Sequence, residues 1–137
     1  MGSTVIYLLD TNTCIQYLTG RSPAVMARFK RVRRVEIALC DVVKAELYYG
    51  ANKSSRREAN LALYERFFSQ YVSLPFDGTA AIIYGRLRAT LEAVGQPIGP
   101  YDLMIAAISL ANNLILVTHN VDEFSRVEGL TIEDWEV

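Results

Sequence analysis

The chain is poor in the residues that build thiol and imidazole chemistry. It has two cysteines, Cys14 and Cys40, with no CxxC spacing, and one histidine, His119. That scarcity argues against a disulfide framework and against zinc sites made of Cys and His, and both thiols are expected to be buried and reduced. Long hydrophobic runs are missing as well. None approaches the roughly 20 residues needed to cross a bilayer, and no basic segment leading into a long apolar one opens the chain. A cytoplasmic protein without a membrane partner is the expectation. Neither sign of charge prevails: 14 Lys and Arg stand against 15 Asp and Glu, for a net charge of -1. This balance excludes a strongly polybasic chain, and a charged fraction of 21% excludes a disordered one. Internal repeats and low-complexity linkers are absent too.

What the sequence does contain is apolar material enough for a core. With 137 residues, 51% of them hydrophobic, it is the size of one domain spanning residues 1–137. "TVIYLL" is too short for a helix and is followed by turn and capping residues, so it reads as a buried strand. A helix over residues 12–18, stopped by Gly20, and a polar helix over 24–34 lead to a second strand, "VEIALC". "DVVKAELYYGA" has helical spacing with Asp41 placed as N-cap, and another helix is expected over 54–68. "YVSLPF" is a third strand, and the long helix after it is closed by Gly95. The apolar helix "YDLMIAAISLANN", the strand "LILVTHN" and an edge strand within "LTIEDW" complete the chain. Alternation of strand and helix predicts an α/β sandwich with a mainly parallel sheet of four or five strands.

Sites in such folds lie beyond the carboxyl ends of the strands. Asp10, which abruptly ends the run "VIYLL", is at such a place, and so is the segment from Thr118 to Asn120. Two further acids interrupt apolar helices, Glu46 in "VVKAELYYG" and Asp102 at the start of "DLMIAAISLA". Taken singly, each has an ordinary explanation. Asp10 can cap a helix, Asp102 can favour the positive end of a helix dipole, and Glu46 can face solvent. Taken together, three acids on elements that can meet at one end of the sheet point to a shared pocket, because buried carboxylates are costly unless paired or bound to a cation. Oxygen donors without His or Cys suit Mg²⁺ or Mn²⁺, and such ions activate water for attack on phosphorus.

The stretches "LLDTNTCI", "VVKAELYYGA", "GQPIGPYDLMIAA" and "LVTHNVDEFSRVEGLTIEDW" occur in this order from Val5 to Trp135. In this the chain resembles the PIN-domain ribonucleases, specifically the VapC-type toxins of bacterial toxin–antitoxin pairs. The resemblance implies a three-layer α/β/α fold and a Mg²⁺- or Mn²⁺-dependent endoribonuclease. It also implies a homodimer and inhibition by a cognate VapB-type antitoxin, with RNA, including tRNA, as the substrate class. It puts Asp10, Glu46 and Asp102 on the acidic metal-binding positions, with Thr11 as the hydroxyl residue beside the first acid. Many PIN domains carry a fourth acid where this chain has Asn120, with Asp122 and Glu123 just beyond. Asn120 is therefore assigned beside the cation or substrate, without adding charge.

Other residues have two readings each. His119 is a solvent-facing residue, an RNA contact or a general acid. The stretch "RFKRVRR", with Arg28, Lys30, Arg31, Arg33 and Arg34, is either a solvated helix face or a phosphate contact, and Arg56, Arg57, Arg86 and Arg88 are further cations of the same kind. Tyr48, Tyr49 and Tyr101 serve packing, an interface or base stacking. Receiver domains need an acid pair after the first strand and a late lysine, yet no lysine follows Lys53. Haloacid-dehalogenase phosphatases need an aspartate where Asn12 stands. The remaining rival is a PIN-like module that binds proteins without catalysis.

Overall fold

The apolar run ahead of Asp10 forms β1 (Tyr7–Leu9), and the others form β2 (Ile37–Cys40), β3 (Val72–Leu74), β4 (Ile115–Val117) and β5 (Thr131–Glu133). A computed structural model describes residues 4–137 of the chain, so the first three residues of the expected 1–137 domain lie outside the described residues. All five strands are parallel, in the order β3-β2-β1-β4-β5. Leu8, Leu9, Ala38, Leu39, Leu116 and Val117 are fully buried. Burial of successive residues, rather than of alternate ones, marks a sheet covered on both faces.

Helices α1 (Thr11–Thr19) and α2 (Pro23–Arg31) connect β1 to β2, and α3 (Asp41–Lys53) and α4 (Arg57–Phe68) connect β2 to β3. The chain then doubles back through α5 (Gly78–Ala93) and α6 (Pro100–Ala111) to β4, and through α7 (Val121–Phe124) to β5. Right-handed crossovers put the first four helices on one face and the last three on the other, which gives the expected three layers. Helix α6 is apolar nearly all round because it lies against both the sheet and α5, and Ile105, Ala106, Ala107 and Ile108 are fully buried. Both cysteines are free and buried; burial pushes the Cys40 thiol up to about 11 and raises the Cys14 thiol well above its ordinary value. Among the described residues, no helix is long and apolar enough to cross a membrane.

Four local features differ from the sequence reading. Helix α2 ends at Arg31 rather than Arg34, because Val32 turns extended to bury its side chain against the core. A single 3-10 turn (Arg34–Glu36) follows, in which the Glu36 carboxylate accepts from the Arg33 N–H at 3.1 Å. Helix α4 begins at Arg57 rather than Ser54, since the Ser54 hydroxyl donates instead to the Ala51 carbonyl at 2.9 Å. Asp41 does not cap α3: Cys40 holds that position, and the Asp41 carboxylate accepts from the Ser73 hydroxyl at 2.6 Å, tying α3 to β3. Helix α7 is the fourth difference, being too short for periodicity to reveal. Gly20, at φ +66°, closes α1 as the sequence indicates, in a left-handed conformation that only glycine adopts at little cost.

Candidate active site

Asp10 is both a helix cap and part of a site. Its N–H donates to the Val117 carbonyl at 3.1 Å, which fixes it at the junction of β1 and β4. Its Oδ1 accepts from the Thr13 N–H at 2.8 Å and so caps α1. Although only 6% exposed, Asp10 lines a cavity of about 380 Å³ together with Thr11, Asn12, Glu46, Asp102 and Asn120. Burial raises its carboxyl above the usual range; hydrogen bonds from Thr118 and Thr13 oppose that, and the charge of Glu46 adds to it.

Helix α6 presents Asp102 in its first turn, two residues after Pro100, which pre-sets the helical backbone. Its carboxyl is pushed up to about 7, first by burial, then by the charge and hydrogen bond of Glu123, and then by Glu46 and Asp10. Glu46 comes from α3, where its Oε1 accepts from the Thr11 hydroxyl at 2.6 Å. The structure thus brings Asp10, Glu46 and Asp102 to one place, with Thr11 and Asn120 on its wall.

Sequence reasoning missed Glu123 and Asn12. The Asn120 side-chain N–H donates to Glu123 Oε2 at 2.7 Å, and the backbone N–H of Asn120 donates to the Thr118 hydroxyl at 3.0 Å. Asn120 therefore holds Glu123, whose charge and hydrogen bond reach Asp102. The available signal was an acid three residues after Asn120, one helical turn away, but Asp122 competed with it and only the three-dimensional turn of α7 separates the two.

Candidates outside this pocket are placed elsewhere. His119 is exposed and pairs through Nδ1 with Asp134 at 2.9 Å, and the Asp134 hydrogen bond, aided by the charge of Glu136, raises its pKa. Among the described residues lining the acidic cavity His119 does not appear. Arg28 pairs with Glu133 and lies 5.2 Å from the centre of the Trp135 ring. Lys30 and Arg34 line a separate cavity with Ile37 and Tyr71, at the amino ends of β2 and β3. The basic stretch is therefore not part of the acid-lined wall. Arg56 and Arg57 lie at the α3–α4 turn, and Arg88 pairs with Glu92 at 2.8 Å.

The donor set fits a hard divalent cation: carboxylates, a hydroxyl and amide oxygens, with crowding among acids that raises Asp102. As they stand, no three His, Cys, Asp or Glu side chains among the described residues are gathered closely enough to hold a metal ion. Thr11 and Asn120 each hold one of the acids by a hydrogen bond, and Glu123 hydrogen-bonds Asp102.

The PIN-domain family model matches residues 7–130. The chain is 41% identical over 129 residues to a tRNA(fMet)-specific endonuclease VapC of Salmonella typhimurium, covering 94% of this chain and 97% of that one. It is 35% identical over 133 residues to Ribonuclease VapC2 of Rickettsia felis, covering 96% and 99%. A crystal structure of DNA-bound VapBC from Salmonella typhimurium superposes with a TM-score of 0.90 at 40% identity, over 96% of this chain and 98% of that one. With a matching family model, identities of this size and a shared fold, the chain belongs to the PIN-domain family and, within it, to the VapC ribonucleases.

Proposed function

We propose that this chain, as one PIN domain over residues 1–137, is the toxin of a type II toxin–antitoxin pair that cuts RNA with Mg²⁺ or Mn²⁺. The observation that carries this reading is the meeting of Asp10, Glu46 and Asp102 around one pocket at the carboxyl end of the sheet, with Glu123 hydrogen-bonded to Asp102. Those four carboxylates are the groups that would hold the cation, and when bound it supplies Lewis-acid polarisation of the phosphate and activation of a water.

The chain's own contribution follows from its hydrogen bonds. Thr11 engages one oxygen of Glu46 and leaves the other to accept a proton from the attacking water. Asn120 orients Glu123 toward Asp102. The buried caps at Asp10 lock its carboxylate on the rigid β1–α1 junction, so the phosphate meets a preorganised wall. Attack by water leaves 5′-phosphate and 3′-hydroxyl ends, and products with a 2′,3′-cyclic phosphate would overturn this mechanism.

The partners proposed are a cognate VapB-type antitoxin, a second copy of this chain in a homodimer, and RNA. The Salmonella relative's specificity for tRNA(fMet) supports tRNA as the first substrate to test, and the VapBC complex supports the antitoxin. The deciding experiment is cleavage of end-labelled total RNA and tRNA by antitoxin-free protein, with Mg²⁺, Mn²⁺ or EDTA, beside Asp102→Asn. Discrete cuts that need the cation and vanish in the variant are expected. A folded protein that cuts no RNA with either ion would leave the non-catalytic interaction module as the reading.

A further inference from the structure

A second, larger groove of about 770 Å³ runs between α3 and α6 and shares Thr11 and Glu46 with the acidic cavity. Its remaining wall is mostly apolar, with Val42, Ala45 and Met104, and two tyrosines on it stand far out of the protein: Tyr49 is 66% exposed and Tyr101 is 59% exposed. The neighbouring Tyr48 behaves differently, its ring packed edge-on against Phe68 at 5.2 Å. Tyr101 makes no ring contact among the described residues, and Tyr49 has only the Lys53 ammonium near it, 5.6 Å from the ring centre. Exposed aromatic rings of this kind give up no packing when a ligand covers them.

We infer that this groove is a nucleobase subsite, in which the unpaired base next to the scissile phosphate stacks on Tyr49 and Tyr101 and the following phosphate meets Lys53. The inference rests on the nuclease reading: the groove opens from the acidic cavity at Thr11 and Glu46, within reach of a nucleoside whose phosphodiester is held at Glu46. Its chemistry suits a base better than an extended peptide. The walls are helix side chains with no free strand edge to pair with a peptide backbone, whereas every base has a face that stacks on an aromatic ring whatever its sequence. A duplex keeps its bases stacked on one another, so the substrate class is RNA with an unpaired base at the cut, such as a loop or bulge.

The test uses the full-length Asp102→Asn protein and a single-stranded RNA that the parent enzyme cuts, carrying 2-aminopurine at each position flanking the cut in turn. Fluorescence should be quenched at one flanking position. Tyr49→Ala or Tyr101→Ala, added to this background, should abolish that quenching and weaken binding by about 5- to 100-fold, while Tyr49→Trp or Tyr101→Phe restores both. In the otherwise wild-type enzyme the alanine variants should raise KM far more than they lower kcat, and an abasic site at the same position should mimic them. Unchanged quenching and KM in both alanine variants would overturn the subsite, as would variants that lose only inhibition by the antitoxin, which would make the groove a peptide site. If the parent cuts no RNA, 2-aminopurine is scanned along a single-stranded RNA instead, and quenching that depends on Tyr49 and Tyr101 would overturn the nuclease reading and leave base stacking standing.

Discussion

At the amino ends of β2 and β3, the rings of Tyr17, Phe29, Phe67 and Tyr71 pack together, with Tyr17 stacked on Phe29 at 3.8 Å and Phe67 against Tyr71 at 5.1 Å. At the carboxyl ends of β1 and β4 the chain gathers Asp10, Glu46, Asp102 and Glu123. Both ends are partly buried, yet burial acts in opposite senses. It stabilises the fold where rings leave water, and even the Tyr71 hydroxyl, pushed up to about 12, stays neutral there. It destabilises the fold where carboxylates leave water, because their charged forms lose hydration and repel one another. One end of the sheet holds the protein together, and the other sets carboxylates against one another.

That contrast can be broken most sharply at Asp102. Asp102→Asn should lower RNA cleavage by about 10³-fold without lowering Tm, since it removes a carboxyl that the fold already disfavours in its charged form; gel assays and thermal melts check the two halves. The converse change is Phe67→Ala, at a residue only 3% exposed. It should cost about 3–5 kcal/mol of stability, read by urea denaturation, while each folded molecule cuts RNA at the parent rate.

A pH series sharpens the same point. The folded-state value for Asp102, about 7, lies above the ordinary 3.8, so the folded chain binds the proton more tightly than the unfolded one. Stability from this group is therefore present at low pH and lost as pH rises from about 4 to about 7. Added Mg²⁺ should raise Tm more at pH 8 than at pH 5, and Asp102→Asn should flatten this dependence. An equal Mg²⁺ effect at both pH values would mean the cation does not bind at the acids.

Smaller effects are expected at the supports. Thr11→Val deletes the hydrogen bond to Glu46 and should reduce kcat by about tenfold or less, a loss on the order of 1 kcal/mol. Replacing Arg28, a partly exposed partner of Glu133, by Met should change stability by less than about 1 kcal/mol and leave cleavage of a short RNA unaltered.

The layers and the main acids were legible because each rests on a strong local pattern. Short apolar runs ending in Asp10, or broken by Asp102, can be read from periodicity and from the cost of burying charge. The parallel direction of the strands follows from their alternation with helices, but their order β3-β2-β1-β4-β5 does not. Glu123 was not legible: its helix is four residues long, and its role depends on how Asn120 turns the chain. The basic stretch was ambiguous for a related reason. Spacing shows that Arg28, Lys30 and Arg34 are close in sequence, but only the fold places Lys30 and Arg34 in a separate cavity and pairs Arg28 with Glu133. Asp41 misled because a capping residue and a first-turn residue look alike until the Ser73 hydroxyl claims the carboxylate.

The order in which the acids appear along the chain has a bearing on the cell that makes this protein. Asp10 and Glu46 leave the ribosome early, but Asp102 follows the reversal of the chain through α5, and Glu123 comes later still, in α7 after β4. β1, the central strand, gains its β4 neighbour only after Val117 has emerged. A nascent chain therefore carries half a pocket until α6 and α7 have followed, and a fragment truncated before β4 lacks a neighbour for its central strand. The acids become one site only when parts of the chain far apart in sequence have met, so partial folding leaves them as separate surface charges.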